Sequence, residues 1–216
     1  MLDGAAACGL AVVRTSEQML GALLTADFEM TQRWAMEKVD SHADFFRLLQ
    51  HPLVPHASRD QLLRMCGIPR MNYVMRTHAP ATLEMAAPRF DANIREAHSQ
   101  APLLATLGAD SDMLATFHAP ARSGGGGYRP TDFVAPLAFV ASLAQAAQDI
   151  AETMLAHPEA PQNAELDATY ESIRRHGVPL DALHLPSRDR FWQTFRDPAA
   201  LPPHFQKLLD RARTGR

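Results

Sequence analysis

Cysteine is scarce: the 216 residues hold two, Cys8 and Cys66, far apart and in no C-x-x-C spacing. That excludes a disulfide scaffold or a thiolate metal cluster and predicts reduced thiols in an intracellular protein. No apolar run reaches the roughly 18–20 residues that a bilayer crossing needs, so no membrane partner is expected. The opening "MLDGAAACGLAVVR" has an acid at Asp3 and no basic n-region, which predicts no signal peptide. H-E-x-x-H is missing too. His42, His51 and His56 flank a helix–loop–helix without the tight set of three or four ligands that zinc wants, and they read as cap or surface histidines. An excess of positive charge is also lacking: the formal net charge is −3, which argues against a globally basic nucleic-acid binder but leaves local patches open. No two aspartates are adjacent anywhere in the chain.

What is present is mostly helical pattern. Hydrophobic residues make up 46% and charged residues 21%, as in an ordinary globular chain. Strand character is confined to "CGLAVVRTSEQMLGALL", where Gly9 and Gly21 bracket short apolar runs. From about Ala26 the apolar spacing is helical, with a break at "DSHAD" and a stop at the prolines of "HPLVPH". Ser58 and Gln61 form a capping-box pattern that predicts a helix start at Ser58, ended by Gly67 and Pro69. Pro69 then suits the first turn of a second short helix. "ATLEMAAPRFDANIREAHSQ" is helical with a kink or restart at Pro88, and Asp110 or Ser111 could cap the piece after it. The longest apolar helix, rich in alanine, begins at Thr131 as its cap and tolerates Pro136 about one turn in. Short peripheral helices follow. The expected fold is mainly α, a helical array with at most a small N-terminal β element.

Two stretches carry candidate chemistry. "RSGGGGYRPTDF" has the glycines of a phosphate loop, but Tyr128 and Arg129 stand where a Walker loop needs lysine and a hydroxyl. It also follows no strand. It reads as a tight connector into the next helix, with backbone anion binding as the alternative. The acids of "ADSD" at 109–112 are explained by a helix N-terminus as well as by a metal. "RDQLLRMCGIPRMNYVMR" sets Arg59, Arg64, Arg70 and Arg76 against the single acid Asp60, a local charge of +3 in an acidic chain. Asn72 and Tyr73 interleave. Arginine, asparagine and tyrosine are phosphate-contacting types, and an aromatic ring can stack on an unpaired base. Core helices with solvated arginines would look the same.

Taken in order, "SEQMLGALL", "HADFFRLLQHPLVP", "QLLRMCGIPRMNYVMRT", the "RFD" at 89–91 and "PARSGGGGYRPTDFVAPLAFVASLA" resemble a region of known enzymes. That region lies downstream of the polymerase core in reverse transcriptases of non-LTR retrotransposon-like elements, and the likeness covers residues 10–145. It implies a strand remnant like a primer grip over 1–24, a thumb-like helical region over 25–121, a Gly-rich connector over 122–130, and an Ala-rich helix with peripheral helices over 131–216. Those enzymes polymerise at two magnesium ions held by palm aspartates, commonly in a Tyr/Phe-x-Asp-Asp motif. Without such a pair, this chain is expected to hold no cofactor and to lack polymerase activity alone, with palm and fingers encoded upstream. The resemblance makes Arg64, Arg70, Asn72, Tyr73 and Arg76 the expected contacts to an RNA or DNA template–primer backbone, with Arg122 and Arg129 beside them. The parent would act in the nucleus. The alternatives are a helical scaffold that docks a protein partner through exposed helices or the N-terminal strand, and a non-functional remnant of a mobile element.

Overall fold

Asp27 starts the helical part of the molecule: its carboxylate accepts the Met30 N–H at 3.0 Å and its carbonyl accepts the Thr31 hydroxyl. A computed structural model of the chain describes residues 16–25, 27–99, 116–119, 124–146, 164–175 and 187. The fold is mainly α with one small N-terminal β element, as the sequence predicts.

That element is a hairpin of β1 (Glu17–Met19) and β2 (Ala22–Leu24), paired antiparallel with Met19 opposite Ala22. Its two-residue turn has φ of 52° at Leu20 and 85° at Gly21. Positive φ at both central positions suits the right-handed twist of a hairpin. A lone hairpin is marginal in water, and this one is anchored by His78, whose Nε2 lies 3.2 Å from the Leu23 carbonyl. A carbonyl only accepts, so the neutral ring carries its proton on Nε2. The same ring stacks on Trp34 at 4.5 Å.

Among the described residues seven helices follow: α1 (Phe28–Asp40), α2 (Ala43–Leu49), α3 (His56–Leu62), α4 (Asn72–Thr77), α5 (Ala86–Ser99), α6 (Thr131–Gln145) and α7 (Ala164–Arg175). The break at "DSHAD" is the Ser41–His42 corner between α1 and α2. Three local expectations need correction. Ser58 is not a cap, because α3 already begins at His56 behind the extended Pro55, whose carbonyl accepts the Arg59 N–H. Gly67 and Pro69 do not end the helix either. A π turn (Leu63–Gly67) and a 3-10 turn (Ile68–Met71) carry it into α4. Proline fits the start of the 3-10 turn because no N–H is asked of it there, and a Cβ on Gly67 would stand 2.9 Å from Leu63 Cδ1 and 3.3 Å from Phe45 Cε1. Pro88 lies in the first turn of α5 and needs no restart.

The core forms where α4 packs on α6 and α5 crosses α1, α2 and α6. Trp34, Val39, Phe46, Leu63, Met71, Val74, Phe90 and Val134 belong to one cluster, with Phe46 and Phe90 meeting edge to face at 5.7 Å. α6 is buried nearly all round, as its alanine and valine content anticipates. α7 closes that side with Tyr170 and Ile173. Among the described residues, no helix is long and apolar enough to cross a membrane. Because Phe90 touches several elements at once, Phe90→Ala is expected to cost about 3–5 kcal/mol. Urea unfolding followed by circular dichroism measures it, and a loss under about 1 kcal/mol would place the core elsewhere.

Candidate functional site

The glycine run is closed against its own chain. Gly126, Gly127 and Tyr128 donate their N–H groups to the carbonyls of Thr116, Ala119 and Phe117. Those amides are spent and cannot cradle an anion. A Cβ on Gly126 would stand 2.5 Å from the Phe117 oxygen and 3.1 Å from the Tyr128 ring, while Gly127 has φ of 73°. The start of α6 is spent as well. Thr131 is its first residue rather than its cap, and Asp91 of α5 receives the Thr131 N–H at 2.9 Å and its hydroxyl at 2.5 Å. The "RFD" triplet is thereby explained: Arg89 pairs with Asp40 at 3.6 Å, Phe90 fills the core, and Asp91 caps another helix. Burial pushes the Asp91 carboxyl up, against the Thr131 hydrogen bonds that pull it down.

Tyr128 is the residue that the glycines deliver. Its ring is buried and stacks on Phe117 at 4.6 Å. Its hydroxyl donates to Asp60, and His118 Nδ1–H donates to its carbonyl. Arg64 closes the group, with Nε 2.9 Å from the other Asp60 oxygen and its guanidinium 4.9 Å over the Tyr128 ring. His98 of α5 lies 3.7 Å from Asp60. Burial raises the Asp60 carboxyl, but the Tyr128 and Arg64 hydrogen bonds and the charges of Arg64 and His98 bring it below its ordinary value. Burial raises the Tyr128 phenol, and the bond to an anion raises it further. Burial also lowers His98, outweighing the pull of Asp60. A neutral phenol bonded to a fixed carboxylate is a brace between α3, α5 and the loop.

The expected site residues separate accordingly. Arg64 belongs to this brace. Arg70, Asn72, Tyr73 and Arg76 are all exposed on the outer side of the 3-10 turn and α4, opposite the buried Met71, Val74 and Met75. Arg76 Nη2 donates to Gln145 of α6 and Arg70 stacks 4.2 Å over Phe45, so neither has a carboxylate partner among the described residues. The Tyr73 ring reaches the hairpin tip: a Cβ on Gly21 would stand 3.7 Å from Tyr73 Cε1. Arg129 lies 5.6 Å over the Phe133 ring and shares with Asn72 a small cavity of ≈ 90 Å³ between α4, α5 and α6. Arg122, Asp110, Ser111 and the segment up to residue 15 lie outside the described residues.

Two features escaped the sequence. Asp60 counts against four arginines on paper, yet of the four it pairs only with Arg64, a pairing that their i, i+4 spacing signals, and its other oxygen accepts from Tyr128. The basic neighbours of Arg70 come from the α1–α2 corner, and only the fold brings them there. Among the described residues no group of three histidine, cysteine or acidic side chains converges on a metal position. No protein-family model, curated protein or solved structure matches the chain.

The titrations point one way near neutrality. His42, His78 and His98 are all lowered from 6.5, each chiefly by burial. The unfolded chain therefore takes up protons first, and stability falls as pH drops below 6.5. Asp60, lowered from 3.8, adds stability that is lost only at lower pH, while the raised Asp91 works in the opposite sense. The melting temperature is expected to decline between about pH 7 and pH 5, and His98→Gln should flatten the decline. A melting temperature constant over that range would contradict the burial of these rings.

Proposed function

We propose that this chain is a nucleic-acid-contacting, thumb-like part of a reverse-transcriptase-type polymerase, with no catalysis of its own. The observation that carries the reading is the exposure of Arg70, Asn72, Tyr73 and Arg76 along one outer face, with the hairpin turn against Tyr73. Cations without carboxylate partners suit a phosphate backbone, which is bound by charge and not by sequence. Tyr73, 44% exposed and backed by Gly21, supplies a stacking surface for a sugar or an unpaired base. Asn72 adds a neutral donor. Arg64, held by Asp60 and Tyr128, drops out of the contact set and serves the scaffold.

A scaffold for a protein partner draws on a different surface. Leu48, Leu53, Leu62 and Met65 are large apolar side chains exposed around α2 and α3. Charge reversal on the arginine face would leave such a partner in place, so the two readings separate by mutation.

Fluorescence anisotropy with a labelled RNA–DNA hybrid and with a single strand tests the proposal. Binding is expected to be weak, visible at low salt and screened by added salt. The pair R70E and R76E should abolish it at moderate salt, and R70Q with R76Q should reduce the salt slope by about 2, one for each phosphate no longer neutralised. Tyr73→Ala should weaken the single strand more than the hybrid. Absence of binding at low salt, or an unchanged slope in the double variant, would overturn the reading. Primer extension with magnesium and dNTPs should yield no product, because the two-metal site of such polymerases uses adjacent aspartates and no two aspartates are adjacent in this sequence.

A further inference from the structure

Arg70 meets His42, a basic side chain from another part of the fold. α1 ends at Asp40 and the Ser41–His42 corner turns the chain into α2. Lys38 and His42 thus stand about one helical turn apart at that corner. The 3-10 turn brings Arg70 Nη1 to 3.3 Å from His42 Nδ1. An arginine N–H only donates, so Nδ1 receives it with a lone pair, and the neutral ring carries its proton on Nε2. Stacking on Phe45 holds the guanidinium beside the imidazole.

The carboxylates near the corner are committed elsewhere: Asp40 to Arg89 of α5 at 3.6 Å, and Asp44 to Arg47 of α2 at 3.1 Å. The charges that act on His42 are Arg70 and Lys38, both positive. Arg70 and His42 thus meet, and Lys38, whose Nζ lies 5.4 Å over the Trp34 ring, stands one helical turn before His42 with its charge acting on the imidazole; among the described residues no carboxylate pairs with any of the three.

We propose that Lys38, His42 and Arg70 form a binding site for one phosphate group, whether part of a nucleic-acid backbone or a free oxyanion, and that His42 takes up a proton as the anion binds. Burial and the two cations hold the imidazole neutral while the site is empty. A bound anion reverses the sign of that field. Protonation then puts a hydrogen on Nδ1, ends its acceptance from Arg70, and leaves both groups as donors toward the anion. Only the nucleic-acid source of the phosphate rests on the function proposed above.

The test is an NMR titration of the His42 ring in the full chain, assigned with His42→Asn. It is done alone, with sulfate as a tetrahedral oxyanion that does not titrate in this range, and with a short single strand. The free ring should titrate below 6.5. Either ligand should raise its midpoint by about one unit, equivalent to about tenfold tighter binding at low than at high pH. Lys38→Ala and Arg70→Gln, each confirmed folded by circular dichroism, should remove the rise. A midpoint that neither ligand moves overturns the site. A rise with sulfate alone keeps the phosphate site and removes the nucleic-acid reading. A strand that binds while neither it nor sulfate moves His42 overturns the site and leaves that reading intact.

Discussion

The bond that Tyr128 donates to Asp60 crosses 68 residues of chain and fixes the relation between the two halves of the fold. Tyr128 follows the glycine run directly, so placing its ring beside Phe117 decides how the chain returns to α6. The glycines are needed for that return. Side chains at Gly125 and Gly126 would collide with the backbone oxygens of Ala119 and Phe117. The same phenol also decides the electrostatics. It and Arg64 share one carboxylate, so that acid is removed from the reach of Arg70 and Arg76.

Among the described residues, several acids are paired with nearby arginines. Asp44 pairs with Arg47, Asp40 with Arg89, and Glu171 with Arg174, each with at least half of its side chain in water. Such pairs add little stability, but they set where the unneutralised charge lies. Arg70 and Arg76 instead have an imidazole, an aromatic ring and an amide as neighbours. None of these cancels a positive charge. The density of arginine in the sequence stretch therefore misstates the site. Arg59 is only 5% exposed, donates to the Val54 carbonyl at 3.3 Å, and among the described residues has no hydrogen-bond partner for Nε and Nη1. It belongs to the interior.

The parts of the fold legible in the sequence are those set by local chemistry. The helical period from Ala26 onward, the corner at Ser41–His42, the alanine-rich α6 and the small N-terminal β element each follow from neighbours within a few residues. The errors at Ser58 and Gly67 have a common origin. Capping boxes and glycine stops describe isolated helices, whereas here Pro55 starts α3 earlier and a π turn runs through Gly67, where a Cβ would meet the Leu63 and Phe45 side chains. The long-range features had no local signal. Asp91 capping α6 spans 40 residues, and Arg70 beside His42 spans 28. Arg70, Asn72, Tyr73 and Arg76 are all exposed, but they meet different neighbours: the α1–α2 corner, the cavity between α4, α5 and α6, the hairpin turn and the end of α6. The corner that completes their surroundings comes from another element and could not be read from spacing.

The hairpin shows how local strain and tertiary support combine. Leu20 has a left-handed φ of 52° with its side chain 90% exposed, a conformation that L-residues other than asparagine, aspartate and histidine rarely adopt. Nothing buries Leu20 in return. The turn is held from its other end, by Ala22 in the interior and by the His78 bond to the Leu23 carbonyl. With its proton on Nε2, the His78 ring has only a lone pair at Nδ1; the Thr77 hydroxyl, 2.8 Å from Nδ1 and 2.9 Å from the Tyr73 carbonyl, has one hydrogen and donates to one of the two at a time. His78 thus ties the hairpin to the C-terminal end of α4, the helix that carries Tyr73.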